Sequence, residues 1–249
     1  MSAVSVILPT FNEAGNIPLL LASLHRQVRN LKEILIVDDN SPDNTAVIAK
    51  KWAADHAKHV SVRVILRRSD NGLTQSISEG IRQAKGTIIV WMDADFSHPP
   101  EVINTLVAQI ENGFDIAVAS RFIRGGKSKL ARDETESKAA IVLSSLANRI
   151  MQYVFQVSFH DFTSGFIAVR KQCVRAIPLT GSYGEYFIDF IIRALAKGYT
   201  VVELPYVSPS RLHGASKTAP SFGILLRRVR QYGGTIIRLL WEKYITHTL

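Results

Sequence analysis

The sequence predicts an α/β protein: a doubly wound, mostly parallel sheet followed by a C-terminal amphipathic helix. Three observations carry that reading. Short Val- and Ile-rich runs alternate with helical patterns through the first 120 residues. Those runs are apolar at nearly every position instead of every second one, as in parallel sheets covered on both faces. A final stripe of apolar residues at spacings of three and four runs from 222 to 244.

The elements follow in order. Residues 4–8, 34–38, 62–66, 87–92 and 115–120 read as strands, being short, apolar and β-branched. Residues 17–28, 44–57, 73–84 and 100–112 have helical spacing, and Ser41-Pro42 reads as an N-cap with proline at the first helical position. In the second half, 137–155 and 187–196 read as helices, 165–169 and 200–206 as strands, and 208–219 as a basic loop. The last stripe comprises Phe222, Leu225, Val229, Tyr232, Ile236, Leu240 and Tyr244, flanked by Arg227, Arg228, Arg230, Arg238 and Lys243, with Trp241 beside it. Such a helix either docks on the core or lies in the interface of an anionic membrane, and its arginines favour the membrane. The expected organisation is a domain over 1–219, split into 1–120 and 121–219, with a helix over 220–249 that is a candidate for membrane association.

Composition removes whole classes of function. With 249 residues and 47% hydrophobic content the chain can bury a substantial core, so disorder is not its theme. No run of about 18 apolar residues exists, which excludes a membrane-spanning helix, and residues 4–8 are too short for a signal-peptide core. A single cysteine, Cys173, forbids an intrachain disulfide and a multi-thiolate metal site; it reads as a small buried hydrophobe. The expected location is cytoplasmic. The net charge of +9 is unevenly spread: residues 1–120 carry 11 Lys and Arg against 13 Asp and Glu, while residues 121–249 carry 19 against 8. The second half is therefore expected to meet something anionic.

Ligands of doubly wound sheets bind outside the carboxyl ends of the strands. Here those ends are unusually acidic. The first strand runs into Pro9-Thr10-Phe11-Asn12-Glu13, the second into Asp38-Asp39-Asn40-Ser41-Pro42-Asp43, and the fourth into Asp93-Ala94-Asp95. Carboxylates converging on one edge repel one another unless a cation or hydrogen-bond donors sit among them. Two aspartates two residues apart after a buried strand suit a divalent metal that bridges phosphates; they also suit plain loop capping ahead of Pro99-Pro100. Asp39 is the residue expected to meet a nucleotide, with Ser41 as the cap. No G-x-G-x-x-G follows the first strand and no Walker loop occurs, which argues against nicotinamide cofactors and P-loop chemistry. His98, His160 and His213 lack zinc-site spacing; His98 and His213 are expected near phosphate, His160 in a structural role.

Taken together, Pro9 to Glu13, Asp38-Asp39-Asn40-Ser41-Pro42-Asp43-Asn44-Thr45, Asn71-Gly72-Leu73 and Met92-Asp93-Ala94-Asp95 resemble, in order and spacing, the family-2 glycosyltransferases of the GT-A fold. Ser120-Arg121-Phe122, Asp161-Phe162-Thr163-Ser164-Gly165-Phe166 and Arg211-Leu212-His213-Gly214-Ala215-Ser216-Lys217 resemble the polyprenyl-phosphate branch, which contains the dolichol-phosphate mannose synthases and bacterial glucosyl relatives. The resemblance covers roughly residues 3–220. It implies that Pro9, Phe11, Glu13 and Asp39 hold the nucleotide. It also implies that Asp93, Ala94 and Asp95 hold the diphosphate through Mg²⁺ or Mn²⁺, with Asp95 the direct ligand and Ser97 an added one. Arg121, Arg211 and Lys217 match residues that contact the donor and its phosphates. The chain departs from the pattern at Ile167, where the family usually has Arg, and at Phe187, within Tyr186-Phe187-Ile188-Asp189, which keeps the family's acid as Asp189 but loses its amide. Asp95, Arg121 and Asp189 are the residues expected to act in catalysis. The signature Q-x-x-R-W of processive polysaccharide synthases is missing.

The implied reaction moves a hexose, mannose foremost, from a nucleotide sugar to a polyprenyl monophosphate with inversion; a UDP-sugar such as UDP-glucose is the alternative donor. The residues expected to face the base do not separate guanine from uracil. Because a phosphate monoester is already anionic near neutral pH, no strong general base is demanded, only positioning and stabilisation of the leaving diphosphate. The expected partners are the nucleotide sugar, a polyprenyl phosphate, an anionic membrane surface and, as a further candidate, a membrane protein. The chain ends at Leu249 and is expected to act as a peripheral enzyme at the cytoplasmic membrane face. The competing class is a non-catalytic module that binds a membrane surface. Nucleic acid is disfavoured, because the acidic edge repels a polyanion and the basic residues lack interleaved stacking aromatics.

Overall fold

The computed structural model describes residues 2–56, 60–69, 71–128, 138–209, 212 and 222–249. Strands β1 (Val4–Thr10), β2 (Leu31–Asp38), β3 (Val62–Leu66), β4 (Ile88–Trp91) and β5 (Ile116–Ser120) alternate with α1 (Ile17–Gln27), α2 (Thr45–Asp55), α3 (Leu73–Gln83) and α4 (Val102–Glu111). Then come β6 (Lys127–Ser128), α5 (Lys138–Phe155), β7 (Ile167–Arg170), α6 (Lys171–Ala176), α7 (Glu185–Ala196), β8 (Val201–Pro205), β9 (Val207–Ser208) and α8 (Phe222–Trp241), the last closing in a π-helical turn, Glu242–Thr246. The expected elements are present, their ends shifted by no more than three residues.

Seven strands form one sheet in the order β3-β2-β1-β4-β7-β5-β8. β1 pairs parallel with both β2 and β4, so the winding direction reverses at β1, and the crevice outside the carboxyl ends of β1 and β4 is the place this topology reserves for a ligand. β7 is antiparallel to both its neighbours, β4 and β5. Its orientation, the short α6 and the small β6–β9 ladder were not foreseen from sequence.

Successive side chains of each strand go to opposite faces, and both faces are buried. Ile7, Leu35, Val37, Ile89, Trp91, Val118 and Ile167 point to one core, shared with α3, α7 and Leu239 of α8. Val6, Leu8, Ile34, Ile36, Val90 and Ala117 point to the other, covered by α1 and α4. Gly80 lets α3 approach β1 closely: a Cβ there would lie 2.5 Å from Ile7 Cγ2. Cys173 is fully buried, and burial pushes its thiol up to about 11, as expected of a small core residue.

One local expectation is overturned. α2 starts at Thr45, behind Asn44 at φ 66°, and not at Ser41-Pro42. The intervening residues are consumed in lacing the β2 loop to the β1 loop. Ser41 Oγ–H donates to Asp38 Oδ2 at 2.6 Å and its oxygen accepts the Asn12 N–H at 3.0 Å. Asp43 accepts from Thr45 Oγ1 and from the Ala14 N–H. Hydrogen bonds of this local kind compete with helix initiation.

At the opposite end of the sheet Glu33 is buried. It accepts from Ser5 Oγ at 2.7 Å, the Lys85 N–H at 2.5 Å, and Arg63 Nη2 at 2.7 Å. Burial alone would raise its pKa; these donors and the Arg63 charge outweigh it and hold it below the ordinary value. A depressed folded-state pKa contributes stability above the unfolded value, about 4.3, which is lost as pH falls through the folded one. Thermal melts are therefore expected to drop steeply below about pH 4, and Glu33→Gln, although less stable at neutral pH, to show a shallower acid limb. An unchanged limb would contradict this role.

α8 is divided between two environments. Leu239 and Thr235 are buried, and Tyr232, Ile236 and Leu240 pack on the core beside α7. Val229, Ile237 and Trp241 are exposed, as are Tyr244 and Ile245 of the following turn. Docking thus takes the middle of the expected stripe and leaves other apolar positions uncovered.

Candidate functional site

The carboxyl ends of β1, β2 and β4, the N-terminus of α3 and one face of α8 enclose a cleft of about 410 Å³. Pro9, Thr10, Phe11 and Glu13 form one wall and Asp93, Ala94 and Asp95 another; Asp39, Asn71, Gly72, Leu73 and Ser76 close the end over β2 and β3. Ser182, Tyr183, Arg227 and Gln231 complete it from the second half of the chain. All seven residues expected from the first half to hold a donor therefore share one cleft: Pro9, Phe11, Glu13, Asp39, Asp93, Ala94 and Asp95.

Each acidic residue is held by its surroundings. Asp39 Oδ2 accepts the Gly72 N–H at 2.7 Å, while Oδ1 accepts from Ser76 Oγ at 2.6 Å and from Arg67 Nη1 at 3.0 Å. Asp38, by contrast, is fully buried and bound to Thr10 and Ser41, so of the two neighbouring aspartates only Asp39 reaches the cleft. Glu13 accepts from Asn16 Nδ2 at 2.7 Å.

The loop after β4 is the most constrained. Asp95 is nearly buried, and its Oδ1 accepts both the N–H and the hydroxyl of Ser97, at 3.0 and 2.6 Å. Phe96 turns the chain at φ 66°, a conformation costly for a bulky residue. His98 lies beneath, its ring stacked on Phe166 at 4.8 Å, and its Nδ1 accepts the Asp93 N–H at 2.9 Å. Burial lowers its pKa despite the nearby Asp93 and Asp95, so the ring is neutral with its proton on Nε2. His98 thus positions the Asp93 backbone and is absent from the cleft wall, correcting the expectation that it would touch phosphate. His98→Phe keeps a ring for the stack but removes the acceptor. The expected result is roughly tenfold weaker divalent-dependent nucleotide binding with modest change in melting temperature, read by calorimetry. Unchanged affinity would make His98 a packing residue only.

Two carboxylates at the cleft, Asp93 exposed and Asp95 oriented by Ser97, form a hard-oxygen donor set. Among the described residues no group of three or more His, Cys, Asp and Glu forms a complete protein cage. That combination fits Mg²⁺ or Mn²⁺, which are commonly held by one or two carboxylates together with water and substrate phosphate. Ser97 is absent from the cleft wall and its hydroxyl is engaged on Asp95, so it orients that carboxylate.

Arg121 and Asp189 are not brought into this cleft. Arg121 follows β5, and its Nε and Nη2 donate to Asp161 at 3.0 and 2.9 Å, with a further bond to Thr163 Oγ1. Burial would lower its pKa, but Asp161 outweighs this and keeps the guanidinium charged. Asp189 is fully buried on α7, bound by Thr180, Arg193 and Arg238; it ties α7 to α8. Arg211, His213 and Lys217 lie outside the described residues. Both departures from the family pattern, Ile167 and Phe187, are core positions below 2% exposure.

A family model described as Glycosyl transferase family 2 matches residues 5–177. The chain belongs to that family. It is 36% identical over 217 residues to a dolichol-phosphate mannosyltransferase of Pyrococcus furiosus, covering 86% of this chain and 58% of that protein. It is 35% identical over 223 residues to a polyprenol monophosphomannose synthase of Mycolicibacterium smegmatis, covering 87% and 81%. An undecaprenyl-phosphate 4-deoxy-4-formamido-L-arabinose transferase of Pseudomonas fluorescens is 32% identical over 220 residues, covering 87% and 60%. The chain thus spans under two thirds of the first and third of these relatives. Glucosyl-3-phosphoglycerate synthase from Mycobacterium tuberculosis, solved with Mn²⁺, UDP and glucosyl-3-phosphoglycerate, superposes with a TM-score of 0.70 at 18% identity, covering 96% of this chain and 80% of that one. The likeness shows that this family 2 chain has a GT-A-like fold.

Several cleft residues were not singled out from sequence. Arg67, which holds Asp39 from behind the cleft wall, directly follows β3, where the rule about strand ends would have flagged it. Ser182, Tyr183, Arg227 and Gln231 carry no local signal as cleft residues; only the tertiary fold brings them to the cleft.

Proposed function

We propose that this chain transfers a hexose, mannose foremost, from a nucleotide sugar to a polyprenyl monophosphate, inverting the anomeric centre, with a UDP-sugar as the alternative donor. The observation that carries the reading is the single cleft at the sheet's switch point that gathers Phe11, Glu13 and Asp39 with Asp93 and Asp95. The mannose synthases among its relatives support the sugar and the lipid acceptor.

In this reading the nucleoside lies toward Asp39 and the diphosphate toward Asp93 and Asp95. A bound divalent ion supplies charge neutralisation at the departing diphosphate. The chain's own residues position: His98 holds the Asp93 backbone, Ser97 aims Asp95, and the Asp161-paired Arg121 offers charged N–H donors on the acceptor side. An oxygen of the lipid phosphate attacks the anomeric carbon from the face opposite the nucleotide, the bond from that carbon to the diphosphate oxygen breaks, and the nucleoside diphosphate leaves with the electron pair. No proton has to be removed from the attacking phosphate, so no buried general base is required. Arg211 and Lys217 are proposed to meet the phosphates, as the family resemblance implies.

Membrane association is part of the proposal. No helix among the described residues is long and apolar enough to cross a bilayer. Ile237, Trp241, Tyr244 and Ile245 are exposed, as are Leu146, Ile150 and Tyr153 of α5, and the ends of the two elements are joined where Tyr244 Oη–H donates to the Val154 carbonyl at 3.0 Å. With Arg149 and Arg230 nearby in sequence, this surface suits an anionic membrane at its cytoplasmic face.

A thermal-shift titration with GDP and UDP, with and without Mn²⁺, separates the enzyme from a non-catalytic membrane module. The enzyme is expected to be stabilised by one nucleotide in a divalent-dependent way, since a ligand that binds only the folded state raises stability with its concentration. The absence of any shift at millimolar nucleotide would favour the module.

A further inference from the structure

Asp39, the acid expected to meet the nucleotide, is already engaged by the Gly72 N–H, Ser76 and Arg67. Base recognition therefore calls on other groups at that end of the cleft, and α8 supplies two. Arg227 and Gln231 are four residues apart, on one face of the helix, and both line the cleft. Arg227 is exposed and, among the described residues, has no ion-pair or hydrogen-bond partner. Gln231 is anchored: its Nε2–H donates to Ser182 Oγ at 2.7 Å, and Ser182 is fixed by Glu185, whose Oε1 accepts the Ser182 N–H at 2.8 Å. That leaves Gln231 Oε1 shielded from water with no donor against it. A shielded acceptor without a donor is an unmet cost that a ligand N–H would relieve.

We infer that Arg227 and Gln231 of α8 read the nucleotide base and select guanine over uracil; this rests on the donor-cleft reading above. The chemistry decides between the bases. Guanine presents O6 and N7 as adjacent acceptors, which the planar fork of arginine meets with two parallel hydrogen bonds, whereas uracil offers only single, separated carbonyl acceptors. The guanine N1–H and the uracil N3–H can each donate to Gln231 Oε1, so Gln231 supports both bases and Arg227 discriminates.

Calorimetric titration of the intact protein with GDP and with UDP, each with Mn²⁺, tests this. Wild type is expected to bind GDP more tightly. Arg227→Ala should weaken GDP about tenfold and UDP less than threefold, and Arg227→Lys should resemble Ala for GDP, because an ammonium keeps the charge but loses the fork. Gln231→Leu should weaken both. Melting temperatures show whether each variant is folded. Equal loss of both nucleotides on Arg227→Ala, full retention by Arg227→Lys, or a wild type that prefers UDP would overturn the inference while leaving the donor cleft intact. If wild type binds neither nucleotide, the donor-cleft reading itself fails.

Discussion

Asp95→Asn is expected to lower kcat/KM for sugar transfer about a thousandfold or more while leaving the melting temperature nearly unchanged. The substitution keeps the shape and an acceptor oxygen for the Ser97 N–H and hydroxyl, so the loop after β4 retains its local bonds. What it removes is the negative charge aimed at a divalent ion. Neutralising a leaving diphosphate lowers the barrier by several kcal/mol, and each 1.4 kcal/mol is about a factor of ten in rate. Steady-state transfer assays with a melting curve on the same sample check both halves. A variant retaining a tenth of wild-type activity would remove Asp95 from the metal role. Ser97→Ala should fall between, because it releases one bond to Asp95 without touching the charge.

Asp189→Ala is expected to act in the opposite way: a large loss of stability with little loss of turnover per folded molecule. The carboxylate is fully buried and accepts from Thr180 Oγ1 at 2.8 Å, Arg193 Nε at 3.1 Å and Arg238 Nη2 at 2.7 Å. Removing one member of a buried pair costs about 3–5 kcal/mol when the other is stranded. Here Arg193 and Arg238 both reach water, so about 2 kcal/mol is the better expectation. Because α8 carries Arg227 and Gln231 into the cleft, a moderate rise in the donor KM should accompany the lower melting temperature. A hundredfold fall in kcat with unchanged stability would restore the catalytic role that the family resemblance implies for this acid.

The contrast between these two aspartates shows where sequence reasoning reached and where it stopped. Asp95 follows a strand whose four residues are all buried, and in a doubly wound sheet a polar residue after such a strand lies at the ligand edge. The same logic pointed to Asp39 and Asp93 and to the loop after β1, within which the family resemblance singles out Pro9, Phe11 and Glu13. It works because apolar runs report burial and burial reports strand ends. Asp189 lies within a helix, where spacing alone cannot say whether a polar side chain faces a site or a neighbouring helix; the packing of α8 decides it. His98 likewise reads as a loop histidine beside two aspartates, and only the stack on Phe166 reveals that its ring is turned inward. The cap of α2 lies at Asn44 and not at Ser41-Pro42, which has the composition of a cap while its hydroxyl serves the loop beneath it. From sequence, Arg227 is one of the basic residues flanking an amphipathic stripe and Gln231 carries no signal, since nothing local marks which flank of a helix will roof a cleft formed nearly 200 residues earlier.

The most direct measurement is transfer of radiolabel from GDP-mannose and, separately, from UDP-glucose to a polyprenyl phosphate in detergent, with Mg²⁺ or Mn²⁺, followed by extraction into organic solvent. The expected result is label in the organic phase with GDP-mannose, dependent on the divalent ion and on Asp95. Label from neither donor, with neither nucleotide bound, would contradict it.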